Sequence, residues 1–420
     1  MQSQTEQLAR KRRSLSLPGH NLRTHGEPSW ADRLGDALLI PGIPEQIPPQ
    51  DRQVVEAALG PHLFHSYAGR THPLLVRLLC QDMQPGESLL DPFVGSGTVL
   101  VEGVRIGLKT VGCDISPLSI RLSRLKATPM PEPMQKALLL RAQSVCDASL
   151  ARVKKRLSPP RNYDDPQFYA PHVYLELCGL RQEIASVCAD DAPLGEALLL
   201  IFSSIVVKAS RQRSESSQDL VERQIGKGQV SRWFLRKAEE FVRLQSAFWQ
   251  KGQKTIPPLL IEGDARSELL AQTEQKLARG SVQRVITSPP YLGTYDYLHH
   301  HLRRYAWLGI DPAPIERDEM AARRQALPLR KRIERHEADT WNWLSAVERL
   351  LQTGGLCFVL VGDSVVDETL LDGAQPIHRA AESTRLRVMA EASVERPHAV
   401  RTVHPLPPRR EHLILLQRNG

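Results

Sequence analysis

The stretch Ser88-Leu89-Leu90-Asp91-Pro92-Phe93-Val94-Gly95-Ser96-Gly97-Thr98 decides the fold. Residues 88–93 read as a short apolar strand, glycines at 95 and 97 mark a turn, and a helix is predicted from 98 to about 106. A second strand at 109–115 and a helix after Pro117 complete a strand–helix–strand unit whose tight turn carries the glycines. Glycine lets the backbone turn sharply and approach a ligand closely. The helix that follows presents free N–H groups at its start. In a dinucleotide site such a turn cradles a pyrophosphate, but here the third glycine of that fingerprint is missing. Asp91, where the strand ends, repels phosphate and attracts an ammonium. Asp114 lies 23 positions further on, at the end of the second strand, where an acid accepts hydrogen bonds from ribose hydroxyls. Asp264, at the end of the third strand, is within reach of an adenine amino group. A lone Asp at a strand end also serves as a turn former or helix cap.

Working outward, residues 134–157, 174–188, 195–210 and 231–249 read as long helices, so 126–255 is expected to be a helical insertion. Strand texture returns at 258–264, 282–287, 356–362, 387–394 and 412–417. Strands alternating with helices predict an α/β fold with a mostly parallel sheet covered on both faces. The linker 395–411 carries Pro397, Pro405, Pro407 and Pro408. A crossover helix does not fit there, so the last two strands should pair antiparallel at one edge. Residues 61–125 and 256–420 form the core, and 1–60 read as a flexible basic arm and lead-in. Within that arm Arg10-Lys11-Arg12-Arg13 suits phosphate binding or a disordered tail.

The 420 residues are 41% hydrophobic, enough for a sizeable core, and the net charge of +8 favours a polyanionic partner. The longest apolar stretch, 197–207, is too short to span a bilayer, so no membrane partner is expected. The polar N-terminus carries no apolar leader segment. Six cysteines without CxxC spacing read as free thiols in a reducing cytoplasm. No metal is expected: His299-His300-His301 point in different directions on a helix, and no zinc spacing occurs elsewhere.

Ser288-Pro289-Pro290-Tyr291 follows the apolar run Val285-Ile286-Thr287. Two prolines remove two backbone donors and fix two φ angles, which stiffens the loop. The Pro289 carbonyl and the Ser288 hydroxyl offer two acceptors for one amino group. Tyr291 offers a ring on which a base can stack. An amino group inside a duplex is out of reach, so the base must be extruded. No Pro-Cys dipeptide occurs, which disfavours attack through a cysteine on a ring carbon. A rigid surface turn is the plain alternative.

With these motifs the chain resembles the amino-methylating DNA methyltransferases, the cytosine-N4 / adenine-N6 family. Asp91–Thr98 is similar to that family's DPFxGSGT cofactor motif, and Thr287–Tyr291 to its TSPPY catalytic motif. Phe64-His65-Ser66-Tyr67-Ala68-Gly69-Arg70-Thr71-His72-Pro73 looks like the additional cofactor motif, with Tyr67 near the methionine moiety. Tyr295-Asp296-Tyr297, Trp307-Leu308-Gly309 and Arg410-Glu411-His412-Leu413 also look like bacterial members. The resemblance implies a Rossmann-like S-adenosylmethionine-dependent methyltransferase fold with an antiparallel edge strand and a helical insertion. It implies S-adenosylmethionine held by Tyr67, Asp91, Phe93, Gly95, Ser96, Gly97, Thr98, Asp114, Ile115 and Asp264. It implies catalysis by Ser288, Pro289, Pro290 and Tyr291 on DNA, with a restriction endonuclease as a candidate partner. Serine at the first variable position of the catalytic motif leans toward cytosine N4, and adenine N6 is the alternative. Guanine N2 of RNA and a non-catalytic nucleic-acid-binding protein of the same fold are the others.

Two features depart from many cytosine-N4 members. The cofactor motif precedes the catalytic motif, and no separate recognition domain follows the last strand. Recognition is therefore expected from the helical insertion or from the arginine-rich span 317–335, with Arg323, Arg324, Arg330, Lys331, Arg332 and Arg335. A solvated helix face is the alternative for that span.

Overall fold

The computed structural model describes residues 20–40, 48, 50–155, 163–215, 219–267, 269, 271–272, 278–323, 327–396 and 407–420. Strand β1 (His20–Gly26) and helices α1 (Pro28–Leu38), α2 (Arg52–Leu59) and α3 (Pro73–Cys80) precede β2 (Ser88–Asp91). Then come α4 (Thr98–Arg105), β3 (Lys109–Asp114) and α5 (Pro117–Ala127). Four long helices follow: α6 (Glu132–Lys154), α7 (Pro171–Asp190), α8 (Ala192–Ala209) and α9 (Gln229–Phe248). Strands β4 (Leu259–Glu262) and β5 (Val282–Thr287) lead to α10 (Tyr297–Leu308), α11 (Ala313–Asp318) and α12 (Leu329–Leu350). The order ends with β6 (Leu351–Gly362), the hairpin β7 (Ser364–Val366) and β8 (Thr369–Leu371), α13 (Gln375–Glu382), β9 (Leu386–Arg396) and β10 (Arg409–Arg418).

One sheet runs in the order β1-β9-β10-β6-β5-β2-β3-β4. The five strands from β6 to β4 are parallel, β10 is antiparallel to β6 and β9, and β1 is antiparallel to β9. This is the Rossmann-like α/β architecture expected from the sequence, a mostly parallel sheet with antiparallel strands at one edge. The central strands are mostly apolar because helices cover both faces. Successive residues alternate between them. Leu90, Val285, Val359 and Leu416 pack with Trp343, Leu344 and Val347 of α12 and Ile377 of α13. Their neighbours Leu89, Ile286, Phe358 and Leu415 pack with α1 and α3 through Leu34, Val76 and Leu79.

The expected antiparallel pair is present as β9 and β10, but it is not the outermost element. β1 covers that edge, pairing Arg23 with Ser393 and Gly26 with Ala390. This corrects the reading of residues 1–60 as a flexible arm and lead-in: 20–26 form a strand and 28–38 a helix whose Ala31, Leu34 and Leu38 are buried. The polar strand sequence His20-Asn21-Leu22-Arg23-Thr24-His25 hid the element, because every residue of β1 is exposed and no alternation marks it. Arg10–Arg13 lie outside the described residues.

Helices α6 to α9 share an apolar cluster with Tyr67, Leu118, Leu122, Tyr305 and Trp307. Proline in the first turn favours α6, α7 and α8, and at α8 Asp191 also accepts from Leu194 N (3.0 Å). By length and composition α8 could cross a membrane, but 72% of it is buried within the protein. All six cysteines are free. Trp307 of α10 is fully buried, donates Nε1–H to Tyr169 Oη (2.8 Å) and meets the rings of Tyr163, Tyr174 and Phe202. It fastens α10 to the helical layer. Trp307→Ala should therefore cost about 3–5 kcal/mol, seen as a lower denaturation midpoint; a loss below about 1 kcal/mol would show that Trp307 does not fasten α10 to that layer.

Candidate active site

The site is set by the pairing of β2 with β5, Leu89 opposite Arg284 and Leu90 opposite Val285. Parallel neighbours end on the same side of a sheet, so the two motifs emerge together. Thr287 Oγ1 donates to Asp91 Oδ1 across the seam (2.8 Å), and Phe93 N donates to the same oxygen (3.1 Å). Past Asp91 the chain turns through Gly95 (φ +48°) and Gly97 (φ +84°) into α4. A Cβ on Gly97 would lie 2.8 Å from Ser123 Cα, so only glycine fits there. Gly95 N and Ser116 N both donate to Asp114, at 2.8 and 2.9 Å. Tyr67 overlies the turn, its Oη 2.8 Å from Ser119 Oγ.

These elements enclose a cavity of about 900 Å³, counting its open mouth. Tyr67, Asp91, Phe93, Gly95, Ser96, Thr98, Asp114, Ile115, Asp264, Ser288 and Pro290 line it. Of the cofactor residues expected from the sequence, Gly97 alone does not; it turns the backbone behind the wall. Burial pushes Asp91 up to about 7 despite the donors at Thr287 and Phe93, and pushes Asp114 up to about 6 despite two backbone donors. Asp264 is on the wall, but Arg266 clasps its carboxylate, with Nε 2.9 Å from both oxygens.

The Ser288–Tyr291 loop lies between two cavities. Ser288 and Pro290 face the large cavity, whereas Pro289 and Tyr291 do not line it. Pro289, Pro290 and Tyr291 instead wall a second cavity of about 630 Å³, with His336 and Thr340 of α12, Gly362 and Asp372. The loop is thus a partition with Pro290 on both sides. Tyr291 is half-buried, its Oη 3.3 Å from Ser288 Oγ and its ring close enough to Gly362 that a Cβ there would lie 2.9 Å from Cε2.

Sequence reading missed part of the wall. Arg70 and Thr71 lie in the stretch already quoted around Tyr67. Tyr297 and Tyr305 come from α10, and Asp318, Glu319 and Met320 from the end of α11. Glu319 is buried and accepts from Tyr297 N (2.8 Å), which fixes the start of α10. No local pattern marks Glu319, because its role depends on where α10 lies. The arginine-rich span is largely ion-paired: Arg317 with Asp318, Arg330 with Glu334 (2.9 Å) and Arg335 with Asp339 (3.9 Å). Arg332 is buried, Arg323 and Lys331 are exposed, and Arg324 lies outside the described residues. That pairing fits a structural helix face more than a phosphate clamp.

His299, His300 and His301 diverge: His299 pairs with Asp296 (2.9 Å), His300 lies 6.3 Å from the Tyr295 ring, and His301 is 4.8 Å from the Tyr67 ring. Among the described residues Asp363, Asp372 and His412 have ligand-type atoms within 4.8 Å of one another. His412 donates to Asp363 (3.0 Å) and Glu391 (2.8 Å). Burial opposes its charge, but those hydrogen bonds win and push it up to about 9. Both ring nitrogens of His412 are thus engaged by carboxylates of neighbouring elements.

No family profile matches the chain. Over 82 residues, 18% of each chain, it is 42% identical to the Type II methyltransferase M.MvaI of Kocuria varians. It is 38% identical over 66 residues to the Type II methyltransferase M.MjaII of Methanocaldococcus jannaschii, covering 16% of this chain and 12% of that one. A longer match, 257 residues at 22% identity, joins it to the Type II methyltransferase M.BsoBI of Geobacillus stearothermophilus, covering 56% of this chain and 49% of that one. The chain therefore spans about half the length of M.BsoBI and under a fifth of the other two. Among solved structures, the rRNA methyltransferase aviRa of Streptomyces viridochromogenes aligns with 86% of this chain and 92% of its own at a TM-score of 0.31 and 13% identity, too distant to bear on substrate.

A carboxyl whose pKa is higher folded than unfolded holds an extra proton in the fold. Its contribution to stability therefore falls as pH rises from about 4 toward the folded value. For Asp91 that value is about 7. Asp91→Asn should accordingly raise the thermal midpoint at pH 8 relative to the parent, by a stability gain on the order of a few kcal/mol, and change it little at pH 4. Equal effects at both pH values would show that burial does not hold the acid neutral.

Proposed function

We propose that the chain is a DNA methyltransferase that moves a methyl group from S-adenosylmethionine to the exocyclic N4 of an extruded cytosine. The carrying observation is the β2–β5 seam, which places Ser288 and the Asp91–Ser96 turn in one cavity. The matches to three Type II methyltransferases support the DNA-methylating reading. The cavity suits the cofactor in size, and its chemistry is complementary: Asp91 for the ammonium, Asp114 for the ribose hydroxyls, Asp264 for the adenine amino group and the Gly95 turn for close backbone approach. When bound, the cofactor supplies an electrophilic methyl group on a good leaving sulfonium.

The protein's own part is alignment. Ser288 Oγ and the Pro289 carbonyl accept the two N–H bonds of the amine and direct its lone pair into the large cavity. No strong base is required, because the methylated nitrogen is acidic enough to pass its proton to water or through Ser288. Tyr291 already contacts Ser288 Oγ, so base entry displaces that contact and leaves the ring as a stacking surface. We assign sequence recognition to the helical layer, which reaches the site through α10 packed on α8.

Purified protein, labelled S-adenosylmethionine and DNA should yield N4-methylcytosine after digestion to nucleosides. N6-methyladenine alone would overturn the cytosine assignment, and label in RNA alone would overturn the DNA assignment. Ser288→Ala should lower kcat about a hundredfold while cofactor affinity changes less than about twofold. Asp114→Ala should show the opposite split, weakening cofactor affinity first. Parallel losses in both variants would remove the separation of roles.

A further inference from the structure

Four tyrosines form a row from the Gly95 turn to Ser288. Tyr67 overlies the turn. Its ring centroid lies 6.2 Å from that of Tyr297, Tyr297 lies 5.4 Å from Tyr295, and Tyr295 lies 6.4 Å from Tyr291. Tyr291 Oη is in turn 3.3 Å from Ser288 Oγ. Of these four rings only Tyr67 and Tyr297 line the large cavity. Counted toward Ser288, Tyr297 is therefore the last of the row to face it. Glu319 accepts from Tyr297 N (2.8 Å), and Tyr297 Oη lies against Gly69 (φ +65°), where a Cβ would be only 2.7 Å away. That hydroxyl has no hydrogen-bond partner among the described residues, so packing rather than a hydroxyl bond holds the ring. Burial pushes the phenol well above its ordinary value, and the nearby Glu319 and Asp114 add to the rise. The ring is thus a neutral π face set among carboxylates.

A methyl group moving from the Asp91–Ser96 turn to an amine at Ser288 crosses the part of the cavity that Tyr297 walls. Its carrier is a sulfonium cation. A cation is attracted to the face of a neutral tyrosine ring within about 6 Å, more strongly where water is excluded. On transfer the sulfur–methyl bond breaks and the sulfur keeps the electron pair. The amine nitrogen gains the methyl group and passes a proton to water, and the carrier is left as a neutral thioether. The attraction to the ring is then gone. We infer that Tyr297 is a specificity-determining residue that reads the charge of the cofactor: its ring favours S-adenosylmethionine over S-adenosylhomocysteine and so favours release of the spent product. This rests on the assignment of the large cavity to S-adenosylmethionine.

The test is the ratio of S-adenosylmethionine affinity to S-adenosylhomocysteine affinity, measured by calorimetry on the full chain without DNA. Tyr297→Phe keeps the ring and should leave the ratio within about twofold of wild type. Tyr297→Leu keeps an apolar wall without a π face. It should lower the ratio about tenfold by weakening S-adenosylmethionine, with S-adenosylhomocysteine within about threefold of wild type. A ring that merely packs the wall would weaken both compounds alike, so an unchanged ratio in Tyr297→Leu overturns the inference. A fall in Tyr297→Phe as large as that in Tyr297→Leu overturns it too, because the selection would then lie in the hydroxyl. Should Tyr297→Leu lack a cooperative unfolding transition, pentafluorophenylalanine at position 297 is the arbiter. It keeps the ring but reverses the charge of its face, and the ratio should fall about tenfold below that of Tyr297→Phe; an equal ratio overturns the inference. Wild type that binds neither compound would remove the cofactor assignment and this inference with it, an outcome distinct from an unchanged ratio.

Discussion

The parallel pairing of β2 with β5 is the constraint on which the site depends. Asp91 and Thr287 end neighbouring strands, and a 2.8 Å hydrogen bond joins them. Because strand ends are fixed by ladders on both sides, the two loops that follow cannot drift apart. A slip of one residue in either strand would send Leu90 or Val285 to the wrong face and carry its loop with it. The apolar layers on both faces, with α12 and α13 on one side and α1 and α3 on the other, oppose such a slip.

On this frame the cavity concentrates acids in a buried place. Asp91 and Asp114 are both held well above the ordinary carboxylate range by burial, and the charge of Asp114 adds to the rise at Asp91. Burial alone disfavours ionisation, so an incoming cation recovers what desolvation withholds. A cationic ligand with hydroxyls is the natural complement, and an unpaired anion is not. This electrostatic preference says more about the ligand than the glycine turn, which many nucleotide sites share.

The Ser288–Tyr291 loop divides two cavities rather than lining one. Two consecutive prolines make it stiff enough to stand as a partition, with Ser288 turned to one side and Tyr291 to the other. The β7–β8 hairpin, α12 and the segment before α13 complete the second side. α10 ties the partition to the helical layer through Trp307, so the part of the chain between β3 and β4 bears on the site although it lies far from the sheet seam.

Local chemistry was legible in the sequence wherever a short pattern carries its own reason. The glycines at 95 and 97, the acids at 91 and 114, the stiff Ser288–Tyr291 corner, the parallel core and the long helices between 132 and 248 all followed from periodicity and backbone preference. What sequence could not hold is anything defined by a distant partner. β1 is a polar stretch that becomes a strand only because β9 offers an edge. Glu319 caps α10 and Arg266 joins three elements, neither marked by a local pattern. Orientation was also tertiary: adjacent residues of one tetrapeptide face different cavities, because strands and helices that meet only in the folded chain decide which side of the loop is open.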